Sequence, residues 1–279
     1  MKYFKLNNGN EIPGIGFGCY TITDENVLRD VLIECKKCNY ELIDTAYFYD
    51  NEDLIGKVLK EENLEDAFQI ATKVWPIDFG AENTKKSIER SLKSLNRDYI
   101  DIMYLHWPGK DMEESWKVLE DYYEQGVLKN IAVCNFYENH MEYLLKNANV
   151  VPQIDQIELH PLLQKNELLD YLKSKDIQPL AWSPIAKADK ELFDSEIMIE
   201  LSKKYNKSIA QIILAWHIAR GTVAIPRTSK VSRVSENIDV FDFELTDEDM
   251  DKIKTLDINK HTSNSPENEK WLKEIRYGK

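Results

Sequence analysis

The sequence predicts a (β/α)8 barrel, and three observations carry that prediction. Short apolar runs alternate with amphipathic helical stretches along almost the whole chain. Eight such runs occur, at residues 14–18, 42–44, 69–73, 100–106, 131–135, 154–156, 178–182 and 222–225. The length, 279 residues, suits one barrel and is short for two full domains. Strands separated by helices pair in parallel through right-handed crossovers. Strands buried on both faces read as continuous apolar runs, and most of these do. A doubly wound sheet would share the alternation. Against it, Gly14-Ile15-Gly16-Phe17-Gly18 is not followed by GxGxxG spacing into a helix.

The elements follow in order. Residues 3–6 and 11–12 flank the turn residues Asn7-Asn8-Gly9-Asn10 and read as a hairpin ahead of the barrel. Helical periodicity then fills residues 26–38, 51–61, 83–95, 112–125, 138–146, 166–174 and 209–219. The run from Ser232 to Asn237 opens a short helix after the last strand. From about Leu256 the tail is polar and is expected to lie over the barrel as a loop. With no repeat, low-complexity stretch or linker, residues 1–279 read as one domain.

Composition narrows the function. A net charge of −13 argues against nucleic acid and against an anionic membrane surface, because both need a basic footprint. No run reaches membrane-spanning length, and the N-terminus lacks the apolar stretch of a signal peptide, so a cytoplasmic location is expected. Four cysteines are too few and too scattered for a disulfide framework. Cys35 and Cys38 have CxxC spacing but no second pair downstream, so no metal site is expected.

Active sites of such barrels lie at the C-terminal ends of the strands. The second strand ends in Asp44, with Tyr47, Phe48 and Tyr49 just beyond it. The third ends in Lys73-Val74-Trp75, and the fourth in His106-Trp107-Pro108. An acid, a cation, an imidazole and a phenol are thus delivered to one place. Each has an ordinary structural role when taken alone; consecutive strand ends make that reading poor for all of them together. A phenol with pKa about 10 is a weak proton donor at neutral pH. A neighbouring ammonium is expected to lower that pKa, a carboxylate to hold the ammonium, and an imidazole to orient a carbonyl oxygen. The hydride for such a reduction must come from a cofactor. Chemistry alone does not choose between Tyr47 and Tyr49.

The stretch Asp44-Thr-Ala-Tyr-Phe-Tyr49-Asp-Asn-Glu52 resembles the DTAxxYxNE signature of the aldo-keto reductases. Thr72-Lys73-Val74-Trp75 and Leu105-His106-Trp107-Pro108 are similar to that family's lysine and histidine motifs. The resemblance runs from about Gly14 to Asp257. It implies a catalytic tetrad of Asp44, Tyr49, Lys73 and His106, with Tyr49 as proton donor. It also implies NADPH as cofactor, with NADH as a weaker donor, a small-molecule carbonyl substrate and a monomer.

On the cofactor side, the resemblance assigns Gly18, Cys19, Cys134, Asn135 and Gln156, with Asn135 and Gln156 on the nicotinamide carboxamide. Cys134 stands where the family usually has serine, and is expected to lie near the nicotinamide and to be open to thiol oxidation. Asp155 stands where the family usually has asparagine, and His160 reads as structural. Trp182 is expected to stack on the nicotinamide ring. Ser183, Ile185 and Lys187 fall on the pyrophosphate side. Arg227, Thr228 and Arg233 match a clamp for the 2′-phosphate, where an arginine fork is apt and a helix N-terminus helps. Glu236 and Asn237 match adenine contacts. Arg227 replaces the usual lysine.

Tyr20, Phe48, Trp75, His106 and Trp107 should line an aromatic substrate pocket. Only Gly109 and Lys110 separate Pro108 from the next helical stretch, and the tail is short, so an open, permissive pocket is expected. Two other classes compete. A cofactor-binding sensor on the same barrel would not need the tetrad intact. A metal-dependent hydrolase would need clustered His ligands that His106 lacks.

Overall fold

A computed structural model describes residues 1–275; residues 276–279, which the one-domain reading includes, lie outside the described residues. The chain starts with an antiparallel hairpin of β1 (Tyr3–Lys5) and β2 (Glu11–Pro13), paired Tyr3 to Pro13 and Lys5 to Glu11. Leu6 and Ile12 pack with Leu42, Ile102 and Ile154, so the hairpin plugs the end of the barrel where the strands begin. Asn8 and Asn10 fix it there by donating to Asn130 Oδ1 at 2.9 and 3.0 Å.

Eight parallel strands follow: β3 (Phe17–Gly18), β4 (Leu42–Asp44), β5 (Gln69–Val74), β6 (Ile102–Leu105), β7 (Ile131–Cys134), β8 (Ile154–Glu158), β9 (Gln178–Trp182) and β10 (Val223–Ala224). Each pairs with the next in the chain. The ring closes through a parallel bridge between Ile15 and Ala224, with Gly18 N donating to Pro226 O at 3.1 Å. A Cβ at Gly18 would come within 3.2 Å of Ile225 O, so glycine lets the first and last strands approach.

Around the ring lie α1 (Glu25–Lys37), α2 (Glu52–Glu61), α3 (Ala81–Ser94), α4 (Met112–Glu124), α5 (Glu138–Leu145) and α6 (Asn166–Ser174). They continue with α7 (Lys190–Phe193), α8 (Glu196–Tyr205), α9 (Ile209–Ala219), α10 (Val231–Ile238), α11 (Asp247–Lys254) and α12 (Glu269–Ile275). Local chemistry sets many of their ends. Asp24 caps α1 by accepting from Val27 N, with Glu25 in the first turn and Lys36 and Lys37 in the last. Capping boxes open α9 (Ser208 with Gln211) and α11 (Thr246 with Asp249). Two apolar layers between helices and strands enclose an inner core of strand residues such as Tyr104, Ala132 and Leu180.

The barrel and hairpin match the expected fold. The strand expected over 100–106 is shorter, because Ile100 makes only an isolated bridge to Leu128. The tail differs more: after an irregular stretch it turns into α12. Among the described residues no helix is long and apolar enough to cross a membrane.

Candidate active site

The barrel brings four of the predicted side chains together at the C-terminal ends of β4, β5 and β6. Asp44 is the last residue of β4 and Lys73 lies near the end of β5. His106 follows β6, its backbone N donating to Val74 O at 3.0 Å. Lys73 is fully buried: its Nζ is 2.6 Å from Asp44 Oδ1 and donates to Thr45 O at 2.7 Å. Gln156 Nε2 donates to the other Asp44 oxygen at 2.8 Å. A buried ion pair persists only with further hydrogen bonds, and Thr45 O on Lys73 and Gln156 on Asp44 supply them here. Burial lifts the Asp44 pKa above the carboxylate norm, against the pull of Lys73 and Gln156.

Tyr49 sits on the short 3-10 turn Tyr47–Tyr49, directly after β4. Its ring meets His106 edge-on at 5.8 Å and Tyr20 at 4.9 Å, and Lys73 Nζ lies 5.0 Å from its centroid. Tyr47 turns outward, where the Arg90 guanidinium lies 3.5 Å from its ring centroid. Geometry therefore separates the two tyrosines that chemistry left open. Contrary to expectation, the Tyr49 pKa is not lowered. Burial pushes it well above the usual phenol value, and the Asp44 charge adds to this. The Lys73 charge is already matched by Asp44, so desolvation wins. Tyr49 keeps its proton.

His106 is buried, and burial followed by the Lys73 charge pushes its pKa well below the usual imidazole value. It is neutral near pH 7, and its Nδ1 has no hydrogen-bond partner.

Beside this cluster, Asn135 follows β7 in a left-handed conformation at φ 65°. Its Nδ2 donates to His106 O at 3.1 Å, and its Oδ1 accepts from Trp182 Nε1 at 2.8 Å. The Asn135 amide is thus bonded at both ends, and Gln156 is bonded to Asp44; the family resemblance assigns both amides to the nicotinamide carboxamide. Cys134 is buried, with Sγ 3.7 Å from Gln156 Oε1, and burial pushes its thiol pKa well above normal. Burial and the raised pKa both keep the thiol in its less reactive, protonated form. Cys19 is likewise buried with its pKa raised by burial. Asp155 and His160 are fully buried, consistent with a structural place.

Past β9, Trp182, Ser183 and Ile185 are half-buried, and Ser183 has φ 49°. Exposed Lys187 donates from Nζ to Thr262 O in the tail at 2.8 Å. After β10, Arg227 is exposed and its Nε donates to Tyr20 O at 3.0 Å. Buried Thr228 accepts from Lys230 N at 3.0 Å through Oγ1. Lys230 supplies no side-chain cap to α10. The first N–H groups of that helix therefore stand beside Arg227, Lys230 and Arg233, with Glu236 half-buried and Asn237 buried one turn on. These features fit a phosphorylated nicotinamide dinucleotide: an unpartnered buried imidazole nitrogen at one end, and an uncapped helix with three cations at the other.

Phe48 stacks on Trp75 at 4.0 Å with rings 10° apart, and Trp75 meets His106 edge-on at 4.9 Å. The pocket is less open than expected. Trp271 packs on Trp107 at 4.4 Å, and Ile275 is buried with Trp75 and Trp107, so α12 covers one side. The sequence reading missed Trp271, Leu272 and Ile275. Their i, i+1, i+4 spacing was the signal of a helix with one apolar face. Among the described residues no cluster of His, Cys, Asp or Glu could hold a metal ion.

Comparison with known proteins agrees with this geometry. The model of the aldo/keto reductase family matches residues 14–258. The chain is 41% identical over 266 residues to the glyoxal reductase of Bacillus subtilis, covering 94% of this chain and 95% of that protein. It is 37% identical to the methylglyoxal reductase DkgA of Escherichia coli, covering 94% of this chain and 96% of the relative. A silkworm (Bombyx mori) aldo-keto reductase complexed with NADPH superposes with a TM-score of 0.88 at 33% identity, over 94% of this chain and 90% of that one. Fold and family define an NAD(P)H-dependent carbonyl oxidoreductase. The chain belongs to the aldo/keto reductase family.

Proposed function

We propose that this protein reduces small aldehydes and ketones, α-dicarbonyls foremost, with NADPH as the preferred donor. The observation that carries the reading is the buried Lys73–Asp44 pair beneath Tyr49 and His106 at adjacent strand ends. The glyoxal and methylglyoxal reductases among its relatives support the dicarbonyl class.

When bound, NADPH supplies a hydride to the carbonyl carbon. Neutral His106 donates a hydrogen bond to the carbonyl oxygen and orients it. Tyr49, protonated at rest, gives its phenolic proton to that oxygen as negative charge develops there. Lys73 and Asp44 then matter most for the phenolate left behind, whose charge the ammonium stabilises until solvent returns the proton. Asn135 and Gln156 would exchange bonds to Trp182 and Asp44 for the carboxamide, and Trp182 would stack on the ring. Gly18 and Cys19 would line the cofactor channel, with Ser183 and Ile185 beside the pyrophosphate. Arg227, Thr228 and Arg233 would hold the 2′-phosphate, with Glu236 and Asn237 at the adenine. Tyr20, Phe48, Trp75 and Trp107 would wall the substrate pocket.

The test is loss of NADPH and NADH absorbance, in separate assays, with methylglyoxal and with benzaldehyde. Turnover should favour NADPH and fall by at least about a hundredfold in Tyr49→Phe, the scale of a lost general acid. Tight NADPH binding with no turnover on any carbonyl would overturn the reading in favour of a sensor.

A further inference from the structure

We propose that Arg90, on the outer helix α3, is a positioning residue that sets the aromatic wall of the substrate pocket without touching substrate. This rests on the reading of that pocket given above.

Two short 3-10 turns carry the wall. One is Tyr47–Tyr49, which presents Phe48 and Tyr49; the other is Pro76–Asp78, which begins right after Trp75. On the pocket side they are joined by the Phe48–Trp75 stack. On the outer side they are joined by Arg90. Its guanidinium lies 3.5 Å from the Tyr47 ring centroid, and the same group donates from Nη2 to Asp78 Oδ2 at 2.6 Å and to Ser87 Oγ at 3.0 Å. One flat cation therefore holds a residue of each turn.

The first turn needs such a hold. Its N-cap, Ala46, offers no side-chain hydrogen bond, and Phe48 is 52% exposed and Tyr47 39% exposed. Little core packing fixes the positions of these two rings. An ion pair on the surface contributes little by itself. An arginine that stacks and bridges at once fixes geometry in a way lysine cannot, because only the guanidinium has a face and a fork. If the outer joint is lost, the exposed Tyr47–Phe48 part of the turn can swing while Tyr49 stays packed against His106 and Tyr20; Phe48 then leaves Trp75, and the wall moves. A bulky aromatic carbonyl lies along that wall; glyoxal, with two carbons, buries little area there.

The experiment compares wild type, Arg90→Met, Arg90→Lys, Tyr47→Leu and the Arg90→Met/Tyr47→Leu double variant. Steady-state constants are taken with glyoxal and with benzaldehyde, alongside the NADPH dissociation constant from quenching of protein fluorescence. The expected result is a rise of roughly two- to fivefold in KM for benzaldehyde in Arg90→Met, the scale of one cation–π contact. The kcat for benzaldehyde, both constants for glyoxal and NADPH affinity should stay as in wild type. Arg90→Lys should recover only part of the loss, and the double variant should be no worse than either single one. Equal losses on both carbonyls would reduce Arg90 to a stability residue, and additive losses in the double variant would break its link to Tyr47; either overturns the proposal. Fluorine NMR of fluorotryptophan-labelled protein reads the wall directly. The Trp75 resonance should move in Arg90→Met even if no carbonyl is turned over, and an unmoved resonance would also overturn it. Failure of the wild type to turn over either carbonyl would instead count against the reductase reading.

Discussion

Asp155 shows what one buried atom can do to stability. It lies fully buried on β8; Oδ1 accepts from Phe136 N at 3.4 Å and Oδ2 has no partner. Without a counter-charge, burial pushes its pKa well above the carboxylate norm, and the one backbone hydrogen bond only partly opposes this. The unfolded chain releases this proton near pH 3.9, whereas the native protein keeps it. Above that pH, unfolding liberates a proton, so the Asp155 contribution to stability is lost as pH rises towards the folded pKa. Asparagine keeps the shape and the acceptor and has no proton to release. Asp155→Asn is expected to raise Tm at about pH 8 and to make little difference near about pH 4. Calorimetry at both values decides it, and a gain that is the same at both would mean that packing rather than ionisation is responsible. Asp155 could be picked out in the sequence only as a departure from a family pattern; that its Oδ2 is left without a partner depends on its surroundings in the folded barrel. Asp44, Lys73 and His106 were legible for a simpler reason. Each is a polar residue at or near the point where an apolar run stops, and a barrel places such points together. Chemistry alone left Tyr47 and Tyr49 open; the family resemblance chose Tyr49, and the turn that sends Tyr47 out to Arg90 is consistent with that choice.

At the scale of elements, the pairing of α2 with α3 depends on one position. A Cβ on Gly56 would lie 2.3 Å from Ser94 O and 2.8 Å from the Leu95 carbonyl carbon. Both obstacles are backbone, so no side chain can swing aside. Glu52 ties α2 to α3 by accepting from Ser91 Oγ at 3.2 Å, and to β5 by accepting from Thr72 Oγ1 at 2.6 Å. Gly56→Ala is therefore expected to destabilise the protein, against the usual helix preference for alanine, by about 1–3 kcal/mol as an overpacking cost. Urea unfolding measures it, and a neutral or stabilising result would show that α2 can shift freely on α3. α2 and α3 were visible because their apolar residues recur at helical spacing along the whole element, whereas α8, as long as α2, was not singled out. The residues of α7, only four long, do not repeat often enough to stand out from a polar stretch, and the apolar spacing in α12 spans less than two turns, a signal the sequence reading passed over. The barrel strands were visible because parallel strands buried on both faces leave no polar alternation to confuse the pattern.

For the whole molecule the question is how the tail relates to the barrel. The family match stops at residue 258, and from there the chain runs over the rim where the candidate site opens. Glu158, at the end of β8, accepts from Thr262 N at 2.7 Å and Thr262 Oγ1 at 2.5 Å, and lies 2.8 Å from His261 Nδ1. Burial would raise the Glu158 pKa, but these bonds together with His160 outweigh it and hold the carboxyl at about 2. Lys260 adds ion pairs to Asp189 and Glu191, both partly exposed and so worth little alone. Beyond this anchor, Trp271 and Ile275 cover Trp107 and Trp75. The ring itself closes without the tail, through Ile15 and Ala224, and among the described residues none of the tail enters the inner core. A chain ending after Asp257 should therefore fold, with its far-ultraviolet spectrum retained and Tm lowered by only a few degrees, about 2–4 °C per kcal/mol lost for a protein of this size. It should also expose the indoles of Trp75 and Trp107, so that binding of a hydrophobic dye increases and KM for benzaldehyde rises more than KM for glyoxal. A shortened chain that fails to fold would place the tail within the cooperative core. One that folds with unchanged dye binding and KM would mean that α12 does not cover the aromatic face in solution.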